Sequence, residues 1–157
     1  MVVRIRQYVY FRLFSETVTA DAITEALGLD PDRVSVRGSR RVDPPRPVTH
    51  SWQLRCGEPG LRVDEQVERV VRRLQPIDAR IRELVATADV EAVLQIVRNF
   101  DAEDGEREIL DVSVSPAGDT LTKLAGQHQL LGWHLDARTL AFLSNIGAEL
   151  DCDEYGG

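Results

Sequence analysis

The chain holds few residues suited to redox or metal chemistry. Cys56 and Cys152 are its only cysteines. Two such distant residues, in a chain without a secretory leader, are expected as free buried thiols rather than a bridge. The three histidines, His50, His128 and His134, show no close ligand spacing, so neither a metal site nor a cofactor is expected. No apolar run is long enough to span a bilayer, and Met1 to Gln7 lacks the apolar core of a signal peptide. A cytoplasmic chain without membrane contact is the expectation. There is no Gly-x-Ser-x-Gly elbow, no glycine-rich phosphate loop after a strand, and no cysteine set beside a recognised histidine partner. Nothing therefore points to an enzyme mechanism, and no catalytic residue is assigned. Net positive charge is also missing, the formal balance being -7, which argues against nucleic-acid binding.

What is present is an ordinary globular composition, with 43% hydrophobic and 29% charged residues. A chain of 157 residues is expected to form a single domain, residues 1–157, that buries its own core without staples. The charge is unevenly spread. Residues 1–62 carry ten arginines and seven acids, residues 63–88 five of each, and residues 89–157 four basic residues against fourteen acids. The last third is thus net -10, a distribution that speaks about partners rather than fold.

Tyr8 to Leu29 reads as a buried strand running into a capped helix. Val9, Phe11 and Leu13 alternate with Tyr8, Tyr10, Arg12 and Phe14, leaving both faces largely apolar, as in a central strand. Thr19 is placed as a helix cap with Val18 and Ile23 as a hydrophobic staple, and Gly28 followed by Pro31 ends the helix after about two turns. Residues 33–38 alternate as a short strand, a proline- and arginine-rich loop follows to Pro47, and Thr49 to Cys56 alternates again with Trp52, Leu54 and Cys56 on one side. Val63 to Ala88 carries a helical apolar period, with Asp64 as cap and an interruption at Pro76. Glu65 with Arg69, Glu68 with Arg72 and Asp78 with Arg82 stand at pairing distance along its exposed face. Val90 to Phe100 is a fourth strand and Ile109 to Ser115 its hairpin partner, while Asp119 to Leu131 stays open between a short helix and a loop. Leu135, Asp136 and Leu140 then repeat the staple and cap of the opening, Gly147 ends that helix, and Ala148 to Tyr155 alternates as a strand with an acidic face.

This order predicts an α+β fold: a ferredoxin-like βαββαβ core with an antiparallel sheet, helices on one face, and an appended β-α-β at the C-terminus. Tyr8 to Asp21, Gly38, His50-Ser51-Trp52, His134-Leu135 and Ile146 to Tyr155 together resemble the bacterial family catalogued as domain of unknown function 4279. The resemblance implies a small bacterial cytoplasmic protein and carries over no catalytic residue. Against the family pattern, residues from about 103 to 131 are expected to be an insertion.

Two readings of function follow. The favoured one is a non-enzymatic protein-interaction module, immunity-like or regulatory, whose acidic C-terminal surface with Glu149, Asp151 and Asp153 docks on a basic protein partner. The alternative is a small anionic-ligand-binding protein or enzyme, its site lined by Tyr8, Tyr10, Arg37, Arg40, Arg41 and Trp52.

Overall fold

The computed structural model describes the backbone of residues 3–102, 109–114, 116–118, 120–124 and 132–156, and the side chains of residues 5–100, 116–118 and 132–156. Strand β1 (Val3–Ser15) leads through Thr19 into helix α1 (Ala20–Leu27). The Thr19 hydroxyl accepts the Ala22 N–H at 3.2 Å. Gly28, at φ 66°, takes the left-handed conformation that side chains resist, and so ends the helix. Arg80 then fastens that end by donating to the Leu27 carbonyl at 2.8 Å.

Strand β2 (Arg33–Ser35) is shorter than its alternation predicts, and the proline- and arginine-rich loop folds back on itself before β3 (His50–Cys56). Three backbone hydrogen bonds of 2.8 to 3.1 Å link Arg40 and Arg41 with Arg46 across that loop. Helix α2 (Val63–Leu74), one 3-10 turn (Gln75–Ile77) and helix α3 (Asp78–Thr87) follow in line. The interruption falls where Pro76 removes a backbone donor. Arg62, not Asp64, occupies the cap position of α2: the Glu65 carboxylate accepts the Arg62 N–H at 2.8 Å, and Asp64 sits in the first turn beside the Arg62 guanidinium at 3.2 Å. Of the expected side-chain pairs only Glu68 with Arg72 forms, at 2.8 Å. Arg69 turns to Glu58 and Arg82 to Asn145, because tertiary partners outside the helix lie within reach of these long side chains.

Strand β4 (Glu91–Ala102) precedes a separate pair, β5 (Ile109–Val114) and β6 (Thr120–Leu124). Strand β5 pairs with β6 and not with β4, since the short turn at Pro116 and Gly118 makes the local hairpin the nearest partner. Thr120–Leu124 is neither of the alternatives read from the sequence, and most of the expected insertion lies outside the described residues. Helix α4 (Ala137–Asn145) is capped by Asp136, whose carboxylate accepts the Thr139 N–H at 2.8 Å, while Leu140 is too exposed to act as a staple. Strand β7 (Ala148–Gly156) closes the chain.

The main sheet has the order β2-β3-β1-β4-β7. The first four strands pair antiparallel, but β7 runs parallel to β4. The sheet is therefore mixed, which corrects the antiparallel sheet expected from sequence. The long connection between β4 and β7 returns the chain to the same end of the sheet, as a parallel pairing requires.

Strand parity places the core. Val9, Phe11 and Leu13 of β1 lie level with Trp52 and Leu54 of β3 and with Ala92, Leu94 and Ile96 of β4, all on one face and all buried. Ile23 and Leu27 of α1, Val67, Val70 and Leu74 of α2, Ile81 of α3 and Leu143 of α4 join them in one cluster, so the helices share this face. Burying each such large side chain stabilises by about 1.5–3 kcal/mol. Phe11 is wholly buried between two neighbouring strands, so Phe11→Ala is expected to cost about 3–5 kcal/mol. Urea unfolding monitored by circular dichroism measures that loss as a lower midpoint at unchanged slope.

Candidate functional site

The other parity of β1 builds the second face of the sheet. Tyr8, Tyr10, Arg12 and Phe14 are half-buried there. Tyr10 stands between Arg55 of β3 and Gln95 of β4, and Tyr8 beside Val97. The two tyrosine rings stack with centroids 6.2 Å apart. Over them lies the Arg55 guanidinium, 4.9 Å from the Tyr8 centroid and 5.7 Å from that of Tyr10. The negative faces of the rings attract the cation and hold its plane. Arg12 repeats the contact farther along, 4.5 Å above Phe14, and donates to Thr49 at 2.7 Å. Burial pushes the Tyr10 phenol above its ordinary value, with Arg12 opposing, and burial likewise lowers the Arg12 guanidinium, with Tyr10 opposing.

Asp32 fixes the Arg55 backbone. Its carboxylate accepts the Arg55 N–H at 2.7 Å and two bonds from Arg73 of α2, at 2.6 and 3.0 Å. The bonds from Arg73, then that from the Arg55 backbone, hold the Asp32 carboxyl below its ordinary 3.8.

Strand β3 ends at Cys56, level with Val9, whereas β1 runs back to Val3. A cleft of about 550 Å³ opens beside that extra length, between Ile5–Tyr8, Arg55 and the segment Gly57–Leu61. The segment reads Gly-Glu-Pro-Gly-Leu. Leu61 donates its N–H to the Glu58 carbonyl at 3.3 Å, and Gly60 at φ 84° supplies the positive torsion that a type II turn needs after proline. Behind it, Gln7 and Gln66 both donate to the Leu61 carbonyl, at 3.0 and 3.2 Å. Gln66 also satisfies the Gln7 carbonyl at 3.2 Å, in the place a β3 residue would otherwise fill. Arg98, only 3% exposed, extends this group by donating to Gln7 at 3.2 Å and to Glu154 of β7 at 2.9 Å.

The residues expected to form one ligand site divide among three places. Tyr8 and Tyr10 lie together on the second face. Trp52 lies on the helix-covered face and is fully buried, because its parity matches Leu54 and not Arg55. Arg37, Arg40 and Arg41 sit beyond the His50 end of β3, level with Ser15, and so roughly 23 Å along the strand from Tyr8 at the usual rise per residue. Arg37 is engaged there by its bond to the Val48 carbonyl at 2.8 Å and by Glu16 at 3.6 Å. Arg55 takes the place expected of that loop. The signal for it was a polar position in the third strand, which becomes meaningful only once the β1–β3 register is known.

The residues expected to meet a partner stay together. Glu149, Asp151 and Asp153 share one side of β7 and are all exposed, with Asp153 accepting from Gln95 at 3.1 Å. Cys152, between them, is exposed and unpaired, and Cys56 is half-buried and unpaired. The free state expected of both thiols holds, but the burial expected of Cys152 does not, since an edge strand shields it on one flank only.

A family model described as Domain of unknown function (DUF4279) matches residues 5–117. The chain belongs to that family. The span matched in this DUF4279 chain begins in β1 and ends at the turn after β5, so the cleft and the tyrosine pair fall inside it and the acidic strand β7 falls outside. No curated protein and no solved structure matches the chain. No helix among the described residues is long and apolar enough to cross a membrane.

The Asp32 contact makes a pH-dependent prediction. A carboxyl held low contributes stability above its ordinary pKa and loses it as the pH falls through the folded value. The Asp32 and Arg73 side chains are 35% and 40% exposed, so solvent screening limits the cost of Asp32→Asn at neutral pH to about 0.5–1 kcal/mol. Thermal melts of parent and variant should differ at pH 7 and converge well below pH 3.8.

Proposed function

We propose that the protein is a non-enzymatic interaction module, regulatory or immunity-like in kind, that accepts an extended basic segment of another protein along β7. The observation that carries this reading is the strand itself. Its nine residues form the last strand of the sheet, with exposed side chains from Glu149 onward and no strand paired to the outer edge among the described residues. Such an edge offers unpaired backbone donors and acceptors to an added strand. Charge decides which strand. Glu149, Asp151 and Asp153 along one side would repel a second copy and attract alternating lysine or arginine, raising the rate of encounter. Tyr155, 55% exposed at the end of the same row, adds an amphipathic contact.

The same reading takes residues 3–102 as a ferredoxin-like split unit to which β7 was added. The antiparallel pairing and the order β2-β3-β1-β4 of its strands support it. A cytoplasmic bacterial setting agrees with two unpaired cysteines.

The measurement is calorimetry with a synthetic peptide alternating lysine and valine. Binding is expected at low salt, to weaken roughly tenfold or more when added salt shortens the Debye length from about 10 Å to about 3 Å, and to vanish for Glu149→Lys combined with Asp151→Lys. Blocking alternate peptide amides by N-methylation should also abolish it. Affinity indifferent to salt and to charge reversal would sink the proposal.

A further inference from the structure

We infer that the cleft beside Ile5–Tyr8 of β1 is a binding site for a small organic anion, one that carries a carboxylate or phosphate on an aromatic or apolar group. The inference is independent of the β7 reading and rests on how Arg55 is held. Its guanidinium carbon lies over Tyr8 and Tyr10, 4.9 and 5.7 Å from the ring centres, and Arg55 lines the cleft, so the rings hold the cation at the cleft wall. Among the described residues no carboxylate pairs with that guanidinium. The nearest acid in the chain of contacts, Asp32, is spent on the Arg55 backbone and on Arg73. A guanidinium offers a planar fork that matches the two oxygens of a carboxylate or phosphate, and here its position is set by the rings before the ligand arrives.

The cleft has the size and lining for the rest of such a molecule. Its volume of about 550 Å³ falls within the roughly 300–1,000 Å³ usual for small-ligand sites. Ile5, Pro59 and Leu61 supply apolar wall. Among the described residues Glu58 is the one acid lining the cleft, and its carboxylate is taken up by Arg69 of α2. The wall opposite β1 is rigid where it matters, because the Leu61 carbonyl is held by both Gln7 and Gln66. An anion entering here meets a guanidinium that no carboxylate contacts among the described residues, an apolar wall and a fixed rim.

The test is a titration of the full chain with benzoate and, separately, phenyl phosphate, followed by amide NMR, with benzyl alcohol as the uncharged control. Saturable shifts are expected at Gly57 and Gly60 with at least one of the two anions, and the better of the pair assigns the oxyanion. Benzyl alcohol should leave those signals in place. Arg55→Gln is expected to weaken binding roughly tenfold or more, the usual effect of losing a charge-assisted hydrogen bond, and Arg55→Lys to recover only part of it. Because Arg55 also covers two rings, Tyr8→Leu serves as a second variant: it keeps the cation, removes its platform, and should weaken binding as well. The inference is overturned if neither anion shifts Gly57 or Gly60, if benzyl alcohol binds as tightly, or if either Arg55→Gln or Tyr8→Leu in folded form binds as the parent does.

Discussion

The unequal pairing of β1 governs this molecule. On one flank β1 is hydrogen-bonded to β4 from Val3 to Phe14, and on the other to β3 only from Val9 to Ser15. Two strands of different length share one centre, and the surplus must be satisfied by something other than a strand. Gln66 does this for the Gln7 carbonyl from the face of α2, and the turn at Glu58–Leu61 fills part of the space beyond. The cleft is what remains. A polar helix residue inside an apolar face would be destabilising if unpaired. Here it stands in for the missing strand, which explains why α2 buries Gln66 among valines.

Parity then separates the core from the tyrosine-bearing face. The residues Val9, Phe11 and Leu13 commit one face of the strand to the helices, while the intervening residues combine ring faces with guanidinium groups. The ring contacts stabilise Arg12 and Arg55 on a half-buried surface by attracting their charge. Arg98 meets the opposite condition on the helix side, where burial is nearly complete and charge is tolerated through Gln7, Glu154 and the Phe100 ring.

Features dictated by neighbours in the chain were readable in the sequence. The Thr19 and Asp136 caps, the stop at Gly28, the break at Pro76 and the alternation of β1 and β3 depend on chemistry within a few residues. Asp64 misled because the helix began two residues earlier than its cap preference suggested, so the carboxylate fell in the first turn. What the sequence could not disclose was registration across space. Trp52 and Arg55 are three residues apart and so of opposite parity, and composition alone placed the tryptophan with the tyrosines when the arginine belongs there. The direction of β7 was likewise hidden, for the acidic alternation is the same whether the strand runs parallel or antiparallel to β4. Membership of the DUF4279 family agrees with the resemblance carried by the opening strand and cap.

The segment Gly57–Leu61 stands outside every ladder of the main sheet and is held by the Leu61 carbonyl, by Glu58 on Arg69 and by Gly57 close against Tyr8. Exchanges at Pro59, between those anchors, need not disturb the pairing of β1, the seat of Gln66 or the packing of α2, as surface turns generally allow. A turn of this kind can change the lining of the cleft without changing the fold. Diversity among relatives would then gather in these few residues, with the stacked arginine and tyrosines as the constant part.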